Sequence, residues 1–580
     1  MAKTNSRDNL VCGILHISTK VSHGITKNGQ IKKFTSHFPQ NIKNFDLPIR
    51  TFYVKTKMDY QSTDVYVVIK VSDEILHKLP ICTIDRYLGN IGDPNAEQLY
   101  LTTLCTLRWG NNKLFNINQI NEFKDLRHER IDLTNLCNIY SIDPKGCIDI
   151  DDAIHVKTIE INDKETIYEI GIHISDVSSY VPENSDLDNE LKIRGESVYL
   201  TNISTKKQIQ INMLPPKLTE ICSLTFGQKK RAFSIIILLK KTKNDPIFNI
   251  LNIKFMKTLI VVTKNLSYEE AEIDEKITIM YDVGKHLYKQ YVNSFEDNYD
   301  THKMVEAYMI LANVLSAEFL VNKNSDFALL RRHAGLKTIN SSNTTSIIDE
   351  KYKELVSYSR NLMMTRAEYC IGFNENSRHV GLEKEYYTHF TSPIRRYADI
   401  IVHRHIFTQQ KENYDINPLQ YIIENLNKVH KIHDICERLS INLSKLFYIE
   451  NKYGSVIYVI GKIVLIDHEH KKIRFIIKDE KITELNGLDI EKTIIERELE
   501  HLVDIKYDNN ELTLSKKNYN IELCHIKLKL YDTIEVQISI VMKNKRKMYV
   551  QLMNPNINTL FNGDNDSYKS FCSSDDSYED

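Results

Sequence analysis

The stretch that decides the fold is Ser141-Ile142-Asp143-Pro144-Lys145-Gly146-Cys147-Ile148-Asp149-Ile150-Asp151-Asp152-Ala153. Its four Asp are embedded in apolar residues, which is not how a solvated charge run is built. In an extended backbone Asp149 and Asp151 point one way and Ile148 and Ile150 the other, while Pro144 and Gly146 let Asp143 fold back toward them. Two carboxylates about 4 Å apart repel by roughly 4 kcal/mol at an effective dielectric of about 20, so several together need a cation or raised pKa values. Hard oxygen ligands favour Mg²⁺, with Mn²⁺ as the alternative. A calcium loop fails on register: counting from Asp143 puts Lys145 and Cys147 at ligand positions, and counting from Asp149 puts Ala153 and Ile154 where a ligand and the turn Gly belong. The plainer reading, Asp residues capping turns and a helix start, stands beside divalent-metal phosphoryl chemistry, which is preferred.

A second stretch, His389-Phe390-Thr391-Ser392-Pro393-Ile394-Arg395-Arg396-Tyr397-Ala398-Asp399 through His403-Arg404, begins a helix by its own chemistry. Ser392 is the expected N-cap and Pro393 the first helical residue. Arg395 and Arg396 then sit at the positive end of the helix dipole, a penalty that an anion reverses. A phosphate site follows, with Asp399 spaced to orient Arg395. The bland alternative is an Arg–Asp surface pair.

Outward from these two stretches, strand and helix signals mix over about 138–441, which is α+β in character. A 3.6-period stripe over 302–320 (Val305, Tyr308, Met309, Ala312, Leu315, Phe319) predicts a buried-face helix, and 421–448 predicts a long one with Ile422, Leu426, Val429 and Ile432 on one face. Residues 1–95 read as a small β-rich unit, 96–131 as a connector, 132–450 as the central domain and 451–554 as a second small β domain. Ile534, Val536, Ile538 and Ile540 alternate there with polar residues, and a basic turn at Lys543-Asn544-Lys545-Arg546-Lys547 suits either a phosphate contact or solvent. Residues 555–580 read as a disordered acidic tail.

The chain has 580 residues, 42% hydrophobic and 26% charged, with a formal charge of −1, which excludes global disorder and fibrous repeats. Its 10 Cys include no CxxC pair, so neither a zinc cage nor a disulfide framework is expected. The polar start and the absence of long uninterrupted apolar runs give the expectation of a soluble intracellular protein, cytoplasmic rather than nuclear, with no membrane partner.

At the two quoted stretches the sequence resembles the RNase II/RNB family of 3′ to 5′ exoribonucleases, nearest to its eukaryotic-type members. The family signature I-D-P-x-G-C-x-D-I-D-D-A runs from Ile142 through Ala153, and H-F-T-S-P-I-R-R-Y-x-D-x-I-V-H-R from His389 through Arg404. Between them lie Gly171-Ile172-His173-Ile174-Ser175-Asp176-Val177, Gly195-Glu196-Ser197-Val198-Tyr199-Leu200 and Asn212-Met213-Leu214-Pro215, in family order.

The resemblance implies a multidomain α+β fold, with a central RNB-type catalytic domain flanked by small OB-like β-barrel domains. It implies Mg²⁺ held by Asp143, Asp149, Asp151 and Asp152, with Asp151 most directly catalytic. It implies Arg395 on the scissile phosphate with Arg396 beside it, Tyr199 stacked on a nucleotide near the 3′ end, and Glu306 lining the site. The expected reaction is processive hydrolysis of single-stranded RNA to nucleoside 5′-monophosphates. About 130 residues precede the central domain, too few for two full-length barrels plus a connector, so residues 1–95 are expected to be one OB/cold-shock-like domain or a truncated tandem; with no endonuclease domain, exosome association is not expected, and a monomer is. The alternative is an RNA-binding homologue whose catalysis is weak.

Overall fold

The alternation in the first 95 residues closes on itself. Strands β1 (Leu10–Leu15), β3 (Gly29–Gln40), β4 (Ile49–Thr56), β5 (Val65–Leu76) and β6 (Leu79–Asn90) follow the order β1-β5-β6-β4-β3 and return to β1, with β2 (Ile25–Thr26) added on β3. With β4 and β6 parallel, this is a closed five-stranded barrel of OB type, filled by Phe34, Phe52, Val54 and Ile69. The computed structural model describes residues 9–26, 29–40, 48–110, 130–135, 138–242, 247–292, 299–335, 355–356, 358–359, 364–408, 417–467, 472–492, 503–508, 511–516, 525–542 and 547–555. The expected connector starts as a helix, Pro94–Thr106, capped by Asp93 on the Asn95 and Ala96 N–H groups. This helix packs on the barrel, with the Tyr100 ring stacked 4.0 Å from that of Tyr66. Residues 111–129 of the connector lie outside the described residues.

A seven-stranded sheet carries the central domain, in the order β15-β8-β9-β10-β13-β14-β7. Its strands are β7 (Ile131–Asp132), β8 (Tyr140–Asp143), β9 (Asp152–Ile161), β10 (Glu165–Ser175), β13 (Lys229–Thr242), β14 (Asn249–Val261) and β15 (Lys264–Ser267), and a hairpin of β11 (Val198–Thr201) and β12 (Gln208–Ile211) stands apart. Strands β9, β10, β13 and β14 pair antiparallel, so Ile170, Ile172, Ile174, Phe233, Ile235 and Ile237 share one buried core with residues of the helices Thr301–Lys323 and Tyr397–Phe407. The first of these is long and apolar enough to cross a membrane. Nevertheless 72% of its most apolar window is buried inside the protein, and only the end of the expected stripe, Phe319, emerges.

The predicted long helix runs Asn417–Tyr453, after a short pair β16 (Leu329–Arg332) and β17 (Glu368–Ile371). Beyond it lie β18 (Val456–Asp467), β19 (Lys472–Ile477) and β20 (Asp489–Lys492), a three-stranded sheet of β21 (Val503–Asp508), β22 (Glu511–Lys516) and β23 (His525–Lys529), then β24 (Thr533–Val541) and β25 (Lys547–Asn554). Ile534, Val536, Ile538 and Ile540 are fully buried, as the alternation predicts, whereas Val456, Tyr458 and Ile460 face outward. The basic turn at 543–546 and the tail from 556 lie outside the described residues. The molecule is therefore multidomain α+β, a central sheet-and-helix domain between two β domains.

Candidate active site

Strand β8 delivers the acids. Asp143 is its last residue, and the chain turns at Pro144–Gly146 with Gly146 at φ +82°, where a Cβ would be strained. The loop that follows forms no strand, and its two isoleucines do not share one environment as the alternation predicts: Ile148 is 62% exposed while Ile150 is buried. Ser223 explains the departure, since its hydroxyl donates to Ile148 O at 2.9 Å and accepts from Ile150 N at 3.0 Å, pinning both ends of the loop. Asp152 then opens β9.

The four carboxylates differ in environment. Asp151 is buried; its Oδ1 accepts the Ile394 N–H at 2.8 Å and its Oδ2 lies 3.6 Å from Arg395 Nε. Burial, with Asp152 and Asp399 adding, holds its carboxyl well above the usual range against the opposing pull of Arg395. Burial and then Asp143 push Asp152 up to about 8. Burial, with Asp149 adding, pushes Asp143 up to about 6, and its Oδ2 is buried with no hydrogen-bond partner. Asp149 accepts from Gln210 Nε2 at 2.8 Å and from Tyr199 Oη at 3.4 Å. Tyr199 and Gln210 are paired directly across the β11–β12 hairpin, so both side chains leave the same face toward one carboxylate.

The arginine stretch differs from its sequence reading. The helix begins at Tyr397, not at Pro393, and residues 392–396 form a separate turn in which Arg395 and Arg396 N–H groups reach Ser392 O. Arg396 is extended (φ −138°, ψ 126°) because it bridges to Glu196, while Ser197 N donates to Arg395 O and Tyr397 N to Gly195 O. Asp399 therefore pairs with Arg396, not Arg395, through two hydrogen bonds of 2.9 and 2.8 Å, and it also accepts the Ser392 N–H. Arg396 is turned away from the aspartates into that pair. Arg395 remains, half-exposed, beside Asp151, with Nη2 on Ser392 Oγ at 3.0 Å.

Glu306 lies at an exposed position of the helix Thr301–Lys323, one turn beyond His302. The His302 ring stacks 3.6 Å from Tyr268, a residue that sequence reasoning did not single out. Tyr268 follows Ser267, which pairs with Asp143 in the parallel β15–β8 register, and burial, then Asp152 and Asp143, push its hydroxyl up to about 12. Nothing in local periodicity signals Tyr268 or Gln210; only the pairing of distant strands brings them in. Among the described residues no three carboxylate, imidazole or thiolate groups are arranged so that one ion would touch all three. The donor set still suits a hard cation, because the buried Asp143 Oδ2 lacks a partner and the neighbouring acids repel one another.

The RNB domain signature matches residues 130–282 and 272–412, which span both stretches. The chain belongs to the RNB family. It is 30% identical over 399 residues to the human exosome complex exonuclease RRP44, covering 57% of this chain and 40% of that protein's length. Among solved structures it is similar to the apo form of Mycoplasma genitalium RNase R (TM-score 0.66, 19% identity, 94% of this chain and 89% of that one). It is also similar to yeast Ssd1, a pseudonuclease (TM-score 0.68, 15% identity, 96% and 84%). RNB membership thus fits a structure in which the matched region carries the whole acidic cluster together with Arg395.

Proposed function

We propose that this RNB-family chain is a divalent-metal-dependent exoribonuclease that shortens single-stranded RNA from its 3′ end to nucleoside 5′-monophosphates. The observation that carries the reading is Asp151, buried and fixed between the Ile394 N–H and Arg395, next to three further carboxylates and a tyrosine. Asp143, Asp149, Asp151 and Asp152 are the residues that would hold Mg²⁺ or Mn²⁺. Such a cation, when bound, supplies Lewis-acid polarisation of the scissile phosphate and a more acidic water. Arg395 presents its guanidinium to that phosphate and to the charge developing on it. Tyr199, whose hydroxyl reaches Asp149, stacks on the terminal nucleotide. Asp151 Oδ2, free of the bond that occupies Oδ1, accepts the proton of the attacking water when the carboxyl is ionised.

Upstream, Tyr458 and Tyr549, 63% and 50% exposed, support a stacking surface for RNA. They flank β24 on one outer face, Tyr458 opposite Gln537 and Tyr549 opposite Ser539. The enzyme acts on this reading as a monomer, apart from an exosome core. One observation favours a second reading, an RNA-binding homologue without turnover: the fold likeness to a pseudonuclease. The test is degradation of 5′-labelled single-stranded RNA, beside DNA and a 3′-blocked RNA, with Mg²⁺ or EDTA. Metal-dependent shortening from the free 3′ end supports the exonuclease; tight RNA binding with no shortening rejects it in favour of the second reading.

A further inference from the structure

Among the described residues, the strand that carries Tyr199 is hydrogen-bonded to a partner strand on one edge only. On that edge β11 pairs with β12. On the other, its N–H groups meet side chains of the long helix: Tyr199 N donates to Glu437 Oε1 at 3.1 Å and Thr201 N to Ser440 Oγ at 2.9 Å. Just before the strand, the Glu196 carboxylate accepts from His430 Nδ1 at 3.0 Å and lies 3.3 Å from His433 Nδ1. Residues 430, 433, 437 and 440 recur every three or four positions, so they form one polar stripe on a helix face that is otherwise packed.

The stripe is charged asymmetrically. His430 Nε2 faces Arg331 Nη2 at 3.0 Å, and an arginine only donates, so Nε2 accepts and the proton sits on Nδ1, toward Glu196. Arg331 is 6% exposed and Glu196 is held far below the usual carboxylate range, despite burial, by His430 and His433. The backbone of Glu196 bridges Arg396, and Ser197 N holds Arg395 O. One carboxylate and one helix face therefore set the positions of both Tyr199 and Arg395.

We propose that Glu196, His430 and Glu437 are positioning residues: the helix Asn417–Tyr453 serves as the missing edge of β11 and fixes where Tyr199 and Arg395 meet the RNA 3′ end. The inference rests on the exoribonuclease reading for its kinetic test. Glu437→Ala removes the acceptor for Tyr199 N, whereas Glu437→Gln keeps one; Glu196→Leu and Glu196→Gln form the second pair. The expected result is a kcat loss on the order of tenfold or more for Glu437→Ala, because small misplacements of reacting groups cost that much, with KM for RNA within about twofold and Gln largely restoring the rate. In a Tyr199→Ala background, Glu437→Ala should add little, since the residue it positions is gone.

A merely structural role gives equal losses in both backgrounds and no rescue by Gln, which overturns the proposal. Nitrogen-15 spectra of the histidine rings supply an outcome independent of turnover: His430 is expected as the Nδ1–H tautomer at neutral pH, and an Nε2–H tautomer overturns it. A wild type that shows the expected tautomer yet degrades no RNA would reject the enzymatic reading while leaving the helix–strand arrangement intact.

Discussion

Two polar clusters meet along strand β9 and are built on opposite terms. Three residues beyond Asp152, His155 Nδ1 bonds His173 Nε2 at 2.8 Å, His173 Nδ1 bonds Ser234 Oγ at 2.7 Å, and Ser234 Oγ bonds Thr258 Oγ1 at 2.6 Å. His155 Nε2 faces Glu169 Oε1 at 3.5 Å. Burial holds both rings below the usual histidine range, and this relay of hydrogen bonds leaves only His155 Nε2 of its ring nitrogens and hydroxyls without a hydrogen-bond partner. At the start of β9, carboxylates crowd one another and one buried oxygen, Asp143 Oδ2, has no partner. Polar groups that satisfy each other hold the sheet together; groups left in conflict keep room for a ligand.

That contrast breaks if Asp151→Asn behaves like a structural mutant. The expected loss of RNA-degrading activity is on the order of 10² to 10⁴, the range for removing a group that acts on the reacting proton. The melting temperature should stay level, since Asn keeps an acceptor for the Ile394 N–H in place of a carboxyl that burial already disfavours as an ion. A folded Asp151→Asn protein with near wild-type rates would place the chemistry elsewhere. The adjacent arginines sharpen the point: Arg396→Met leaves Asp399 buried without its partner and should cost about 3–5 kcal/mol of stability by chemical denaturation, with the folded fraction still active. Arg395→Met should do the reverse, lowering kcat with stability almost unchanged.

The two arginines also show what the sequence could disclose. Both signature stretches, the barrel strands, the helix stripe over 302–320 and the alternation in β24 are local patterns, and they were legible because period and spacing are local. The pairing of Asp399 was not: the i, i+4 argument assumes a helix through Arg395, and the Glu196 bridge pulls the chain out of it. Gln210 and Tyr268 reach the acids only through cross-strand and parallel pairing, which one segment does not encode. The polar stripe of the long helix was masked by the apolar set Ile422, Leu426, Val429 and Ile432.

On the satisfied side, Gly171 is the weak point. A Cβ there would sit 2.1 Å from His155 Cε1 and 2.8 Å from His173 Nε2, so Gly171→Ala must separate the two rings. Overpacking of this kind costs about 1–3 kcal/mol. The melting temperature should fall while kcat of the folded protein holds; a loss of kcat at unchanged stability would mean that the histidine chain serves the reaction.

The smallest effect is a difference in pH dependence between the clusters. Asp143 and Asp152, raised to about 6 and about 8 from an ordinary value near 4, bind protons more tightly folded than unfolded. Their contribution is fully present below about pH 4 and is lost as pH rises through about 6 and about 8. His155 and His173 have the opposite sign: their folded values lie below the ordinary value near 6.5, so stability is lost as pH falls through that value and is flat above it. From about pH 7 to about pH 9, of these four groups, only the aspartates still change. In EDTA the melting temperature should therefore drop by a few degrees over that interval, and Asp152→Asn should flatten the drop. Mg²⁺ should abolish it, because a cation stabilises the ionised carboxylates that proton loss leaves in repulsion. A wild-type profile that is level in EDTA, or as steep in Asp152→Asn, would mean that the acidic loop already relieves its own repulsion and has no need of a cation.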